Sequence, residues 1–302
     1  MVDLSIIIVN TNTVQLLCEC IQSVNNTAEN LDFEIIVVDN ASVDDSVEIV
    51  HSMFPEVKVV ANSENLGFSR SANLALADTV GDFFLFAHPD ILFLPGAIIE
   101  MLSYLKSHPR VGIVGSNQIY PDGSYVNCCI AGSSVRRELV EFDFPIKNID
   151  KIISQLTERF GKERASIYWD HKNVTESETI YNACMMFRRE VLENVGNFCE
   201  DFFVWWADMD FCLRARNAGW KAFYLPDAKV IHYETRSHSK IDLKLVKYKV
   251  DVPVAKGLMR KDHNTLLKRY NSPIFFWLSN ILYVLALWKS KIKYTFVRVF
   301  AS

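Results

Sequence analysis

Short apolar runs alternate with helical periodicities along the first 115 residues. Leu4–Val9 (LSIIIV), Phe33–Val38 (FEIIVV), Val57–Ala61 and Phe83–Ala87 are apolar and rich in β-branched or aromatic residues, the pattern of strands buried on both faces. Between them, Leu16, Leu17, Cys20, Ile21 and Val24 recur at helical spacing, and 47–54 and 69–77 read as two further helices. Ser42 stands at a candidate N-cap, with Asp44 and Asp45 in the first turn behind it. Pro95-Gly96 opens a helix over 97–106, and Val111–Gly115 returns to the strand pattern. This rhythm predicts an α/β fold with a mostly parallel central sheet and helices on both faces.

In such sheets ligands sit outside the carboxyl ends of the strands. Asn10, Asp39, Asn40 and Asp90 follow the apolar runs and so fall where chemistry is expected. No G-x-G-x-x-G follows the first strand and no G-x-x-x-x-G-K-[ST] loop occurs, so a phosphate would be held in another way. A carboxylate beside phosphate implies a divalent cation, and Asp90, behind Pro89, is the best placed. Pro-Asp is also ordinary turn chemistry, and position alone does not separate the two readings.

Residues 116–180 carry weaker signals: a turn at Pro121-Asp-Gly-Ser, then a charged stretch over 136–164 that suits either an acceptor loop or a surface excursion. The apolar pattern returns at 181–187, followed by a helix over 190–195 and the dense stretch FCEDFFVWWADMDFC (198–212). An acid set among aromatics tends toward a raised pKa and general-base work. Asp210 stands four residues before Arg214 and reads as its helical ion-pair partner, which leaves Asp208 as the freer carboxylate. Lys221–Leu225 and Ala228–Ile231 read as two short strands, with His232 at the end of the second.

Composition adds bounds. The chain has 302 residues, half of them hydrophobic and 23% charged, enough for a folded core and for two domains or one with an appendage. Seven cysteines are too few and too odd in number for a disulfide framework, and Cys18/Cys20 and Cys128/Cys129 lack zinc-ligand spacing. The net charge of −4 averages unequal parts: −10 over residues 1–57, which hold no Lys or Arg, and +9 over 241–302. The start carries an acid at Asp3 and no basic n-region, so no signal peptide is expected. Pro273–Trp288 is sixteen uncharged residues followed by Lys289, Lys291 and Lys293, short for a spanning helix. It suits a helix in the membrane interface, anchored by Trp277 and Trp288, or a helix packed on the core; the flanking positive charge favours an anionic cytoplasmic leaflet. Basic residues that flank an apolar run are not a nucleic-acid signature.

In order along the chain stand SIIIVNTN (5–12), VVDNASVDDS (37–46), NSENLGFSRSAN (62–73), FLFAHPD (84–90), ACMMFRREVLENVGNF (183–198), EDFFVWWADMDFCLRARNAGW (200–220) and YLPDAKVIHY (224–233), then Arg236 and Ser237. With these markers the chain resembles, from about residue 3 to 240, the inverting family 2 glycosyltransferases of GT-A fold, in their rhamnosyltransferase-like branch. The resemblance implies a catalytic domain over 1–240 (nucleotide-binding half 1–115, acceptor half 116–240) and a helical, membrane-associating tail over 241–302. It implies that Asp39 reads a pyrimidine base in a pocket lined by Asn10, Thr11 and Asn40. Asn65, Gly67, Arg70 and Asn73 would form the donor-side loop, although Arg70 serves equally well as an ion-pair partner and Gly67 as a helix-entry turn. Asp90 and His232 would hold Mg²⁺ or Mn²⁺ against the diphosphate, and Asp208 would deprotonate the acceptor hydroxyl, with Asp210 accessory.

This chain departs from the branch in having His88 where Asn is usual, Ala207 where Glu is usual and Thr11 where Tyr is usual. His88 is then a further metal contact or a packing residue. The expected activity is transfer from dTDP-rhamnose, or else a UDP-sugar, to a glycan acceptor carried on polyprenyl diphosphate, in polysaccharide synthesis. The expected partners are that donor, that acceptor and the membrane surface through 273–302, with no nucleic acid. The place is peripheral on the cytoplasmic side of the plasma membrane. A sugar nucleotidyltransferase and a non-catalytic glycan-binding relative are the rival readings; the first normally has a basic N-terminal loop, and here the first basic residue is Lys58.

Overall fold

A computed structural model describes residues 2–28, 31–130, 171–233 and 252–270. The charged stretch 136–164, Arg236, Ser237 and the apolar run 273–288 lie outside the described residues. The chain divides into two compact units, Met1–Ala131 with Arg164–Asp262, and Gly132–Glu163 with His263–Ser302. Of the second unit the described part is 263–270, the end of the helix Val252–Tyr270. Among the described residues no helix is long and apolar enough to cross a membrane.

The first unit is built on a sheet of β1 (Leu4–Asn10), β2 (Phe33–Asn40), β3 (Lys58–Asn62), β4 (Phe83–Ala87), β5 (Ile91–Phe93), β6 (Val111–Ile119), β8 (Thr175–Ser177), β10 (Cys184–Arg188) and β11 (Lys221–His232). Its order is β3-β2-β1-β4-β10-β6-β11-β5, with β8 on β11. β7 (Cys129–Ile130) and β9 (Thr179–Ile180) form a separate pair. Helices Val14–Thr27, Ser46–Met53, Gly67–Ala77 and Ala97–Ser107 connect the first strands, and Arg189–Val195 and Ala207–Asn217 precede β11.

The sheet is mixed, which corrects the expectation of a mostly parallel one. β1, β2, β3 and β4 pair in parallel, as do β6 and β11, but β10 runs antiparallel between β4 and β6, and β5 and β8 run antiparallel to β11. The reason is topological. The chain leaves β6 at the carboxyl edge and re-enters the sheet from that same edge at Asn182, so β10 has to run back down. A strand buried on both faces is apolar whichever way it runs, so its sequence does not encode direction; all five residues of β10 are buried.

Alternation within the strands divides the core. Ile6, Ile8, Ile35, Val37 and Leu85 pack in one cluster with Leu17, Ile21 and Val24 of helix Val14–Thr27 and Met101, Leu102 and Leu105 of helix Ala97–Ser107. Phe84 and Phe86 join Phe187, Phe198 and Phe211, whose successive rings lie 4.8–5.8 Å apart. Each such pair contributes about 0.5–1.5 kcal/mol beyond its buried area.

Two local expectations change. Ser42 is not the helix cap: the helix begins at Ser46 behind a left-handed Asp45, and the Ser42 hydroxyl bonds Asp39 instead. The two short strands around Pro226 are one, β11, whose pairing with β6 jumps from Leu225–Ser116 to Lys229–Asn117. Proline has no N–H for a ladder, so the chain bulges there; the Pro226 carbonyl accepts from Asn117 Nδ2 at 2.9 Å.

Arg188, buried at the end of β10, donates to the carbonyls of Val111, Leu105 and His108, the last two at the end of helix Ala97–Ser107. Removing it leaves buried carbonyls unsatisfied, at about 1–3 kcal/mol each. Arg188→Met is therefore expected to lower stability by roughly 2–4 kcal/mol in urea unfolding, and Arg188→Lys to recover little, because an ammonium lacks the planar fork.

Candidate active site

The carboxyl edge of the parallel strands collects the candidate residues. β1 ends at Asn10, β2 at Asp39-Asn40, β3 at Asn62, β6 at Gln118-Ile119 and β11 at His232, and His88 follows β4. Residue 91 of β5 pairs with His232, and Tyr233 N–H donates to the Asp90 carbonyl at 3.1 Å. That ladder sets the Asp90 carboxylate 3.4 Å from His232 Nε2, both side chains largely buried. On its other side the His232 ring donates from Nδ1 to Gln118 Oε1 at 2.8 Å, so Nε2 faces Asp90, donating to the carboxylate when the ring is charged and offering a lone pair to a cation when it is neutral. The His88 ring stands edge-on to His232, centroids 5.9 Å apart. One ligand atom each from His88, Asp90 and His232 lies within 4.8 Å of the others. Burial pushes the Asp90 carboxyl upward, but the His232 hydrogen bond and the nearby imidazole charges outweigh it, so its pKa falls below the ordinary value.

Two imidazole nitrogens and a carboxylate, one ring fixed by an amide behind it, are a donor set that suits a first-row divalent cation such as Mn²⁺; Mg²⁺ prefers oxygen. The residues present fit a metal.

Asp208 lies in the first turn of helix Ala207–Asn217, behind Trp206 in a left-handed conformation (φ 61°). Its carboxylate accepts from its neighbour Met209 N–H at 2.8 Å and from Asn182 N–H at 3.1 Å. The next residue, Ala183, accepts from His88 N–H at 2.9 Å. Two adjacent residues at the entry to β10 thus hold both the Asp208 carboxylate and the backbone of His88. Asp210 is fully buried and paired with Arg214 Nε at 2.8 Å, as its spacing predicts.

On the donor side, Asp39 is buried and accepts from Asn10 Nδ2 (2.8 Å), Ser42 N–H (2.8 Å) and Ser42 Oγ (2.6 Å). Ser42 Oγ also takes the N–H of left-handed Asn12, so the loops after β1 and β2 are knitted together, with Thr11 half-buried between Asn10 and Asn12. Asn40 accepts from Asn62 Nδ2 and Ser71 Oγ and donates to the Gly67 carbonyl. Asn65 Oδ1 takes the Gly67 N–H. Gly67 needs to be glycine on two grounds: φ is +77°, and a Cβ would stand 2.3 Å from the Phe203 carbonyl oxygen. The Asn73 amide is spent on Phe198 and Glu200, and Arg70 pairs with exposed Glu200 at 3.5 Å. The structure therefore gives Asn40 and Asn73 loop-holding contacts and Arg70 an ion pair.

Residues 5–127 match the sequence profile described as Glycosyl transferase family 2. Over that stretch the chain is similar to the family 2 glycosyltransferases. Over 216 residues, 67% of each chain, the protein is 26% identical to the N-acetylglucosaminyl-diphospho-decaprenol L-rhamnosyltransferase of Mycobacterium tuberculosis. It is also 26% identical over 144 residues to the dTDP-rhamnosyl transferase RfbF of Shigella flexneri, covering 43% of this chain and 48% of that one. In fold it is similar to the mannosyltransferase PcManGT from Pyrobaculum calidifontis in complex with GDP-Man and Mn²⁺ (TM-score 0.54, 17% identity, 94% of this chain and 68% of that one). It also resembles S. aureus TarS 1–349 (TM-score 0.52, 14% identity, 88% and 72%). The chain is thus similar in sequence to rhamnosyltransferases and in fold to glycosyltransferases of the GT-A kind.

Sequence reasoning missed Gln118, Ser42, Asn182 and Asp262. Gln118 and Ser42 had a signal, a polar residue closing an apolar run or standing just past one, as Asn10 does. Asn182 acts through its backbone, and Asp262 meets its partners from 57 to 59 residues away; neither leaves a local trace. None of the seven cysteines is in a disulfide, and burial pushes the Cys184 and Cys212 thiols up to about 12, too high for nucleophilic work.

Proposed function

We propose that the protein transfers a sugar from a nucleotide-diphosphate donor, dTDP-rhamnose first, to a hydroxyl of a glycan carried on polyprenyl diphosphate, with inversion at the anomeric carbon. The observation that carries this reading is the pair Asn182–Ala183, which holds a candidate base, Asp208, next to the His88–Asp90–His232 cluster. The donor class and the lipid-linked acceptor draw support from the two rhamnosyltransferase relatives.

In this mechanism Asp208 takes the acceptor proton as its oxygen bonds to the anomeric carbon and the bond to the diphosphate breaks. Two backbone N–H groups fix the carboxylate for that role. A single displacement with the base opposite the leaving group inverts the centre. His88, Asp90 and His232 would hold the cation, and Gln118 keeps the His232 tautomer that presents Nε2. A bound Mn²⁺ or Mg²⁺ supplies positive charge that stabilises the departing diphosphate. Asp39, Asn10, Thr11 and Asn40 shape the nucleotide pocket, and Asn65 and Gly67 the donor-side turn. Residues 273–302 bind the anionic cytoplasmic face of the plasma membrane, where a polyprenyl-linked acceptor is presented.

A panel of sugar nucleotides with and without Mn²⁺ tests the donor by thermal shift: dTDP-rhamnose with Mn²⁺ should raise Tm most. A larger shift with UDP-hexose or UDP-N-acetylhexosamine would replace the donor, and no shift with any member would end the reading. Asp208→Asn should cut transfer by about 100-fold or more while donor affinity stays near that of the wild type; undiminished turnover would remove Asp208 as the base. Removing 273–302 should abolish flotation with anionic vesicles, and flotation that persists would move membrane contact elsewhere.

A further inference from the structure

Three consecutive backbone amides, those of Phe203, Val204 and Trp205, converge on one oxygen, Asp262 Oδ2, at 3.0, 3.0 and 3.1 Å. Successive N–H groups turned to one point form an anion-binding concavity, and here the anion is a fully buried side chain from helix Val252–Tyr270. Asp262 Oδ1 has no hydrogen-bond partner among the described residues, so the contact is directed entirely at those amides. The same segment is held from its other side, because the Phe203 carbonyl accepts from Phe68 N–H at 2.6 Å and the missing Cβ of Gly67 makes room for it.

The clamped segment leads directly into the proposed base. Trp206 takes a left-handed conformation, which costs a non-glycine residue about 1–2 kcal/mol, and the helix starts at Ala207 with Asp208 in its first turn. Such a conformation persists when its surroundings over-determine it. The surroundings here are the Asp262 carboxylate on one side and the donor-side turn on the other.

We propose that Asp262 is a positioning residue for catalysis: by gathering the amides of 203–205 it fixes the Trp206 turn, and so the direction of the Asp208 carboxylate relative to the donor-side turn at Gly67–Phe68. It touches neither substrate nor metal. The proposal rests on the reading of Asp208 as base of a sugar transfer.

The test uses the full chain with dTDP-rhamnose, Mn²⁺ and a lipid-linked acceptor, and follows transfer, donor hydrolysis to free sugar and donor affinity by calorimetry. Asp262→Ala should lower kcat for transfer by about 100-fold, the scale of an ångström of misplacement, with donor affinity and donor hydrolysis within a few-fold of wild type. Asp262→Asn keeps an acceptor oxygen for the amides and should recover most of the loss. Should the alanine variant fail to fold, Asp262→Glu keeps the charge but advances the carboxylate by one methylene, and is expected to lose about 10-fold in kcat alone. A folded alanine or glutamate variant with wild-type kcat overturns the proposal. So does a parallel fall of transfer, hydrolysis and bound donor, which marks a purely structural role. Absence of transfer by the wild type, by contrast, would overturn the function reading itself.

Discussion

The site depends on one strand running the opposite way from its neighbours. β10 enters the sheet between β4 and β6 from the carboxyl edge, so its first residues lie among the last residues of the parallel strands. A parallel strand in that slot would put its amino end at the far edge of the sheet. Antiparallel entry delivers two backbone groups where chemistry needs them: Ala183 C=O for His88 and Asn182 N–H for Asp208. The strand itself is anchored by packing, with Phe187 against Phe84, Phe86 and Phe211 and Arg188 against three carbonyls. Its rigidity sets how well the two halves of the site keep their spacing.

A second regularity concerns how acids are held. The first 57 residues carry ten acids and no Lys or Arg, yet the carboxylates near the site are ordered. Asp39 is held by a hydroxyl, an amide side chain and a backbone N–H, Asp208 by two backbone N–H groups and Asp262 by three. Neutral donors fix a carboxylate in place without cancelling its charge. The edge therefore keeps the negative charge that the proposed cation site calls for. Lysine and arginine partners are used elsewhere, as in Lys58 with Glu34, Lys106 with Asp3 and Arg214 with Asp210.

The elements of the first 115 residues were legible because each apolar run or stripe is local, and Leu4–Val9, Phe33–Val38 and Phe83–Ala87 recur as strands nearly to the residue. The direction of β10 was not, since burial on both faces erases the alternation that would show it. Asp90 and His232 were visible as polar residues at apolar ends, Asp208 as an acid set among aromatics, and the Asp210–Arg214 pair from its spacing. The partners that give those residues their geometry were mostly hidden. Gln118 reaches His232 across 114 positions, and Asp262 reaches a loop far upstream; such contacts are products of topology and have no periodicity to read.

The bulge at Pro226 bears on how this site tolerates change in chain length. From Leu225 opposite Ser116 an unbroken ladder would set residue 226 opposite Asn117, but Lys229 stands there, a slip of three positions. An odd slip exchanges the two faces of everything downstream, because side chains alternate with a period of two. The imidazole of His232 thus owes both its face and its place beside Gln118 to the length of a three-residue detour. Loss or gain of a single residue within 226–228 would turn that ring toward the opposite side of the sheet while leaving every proposed ligand in the sequence. Chains that keep the acids and histidines but differ in length at this point would carry the same letters without the same cation site.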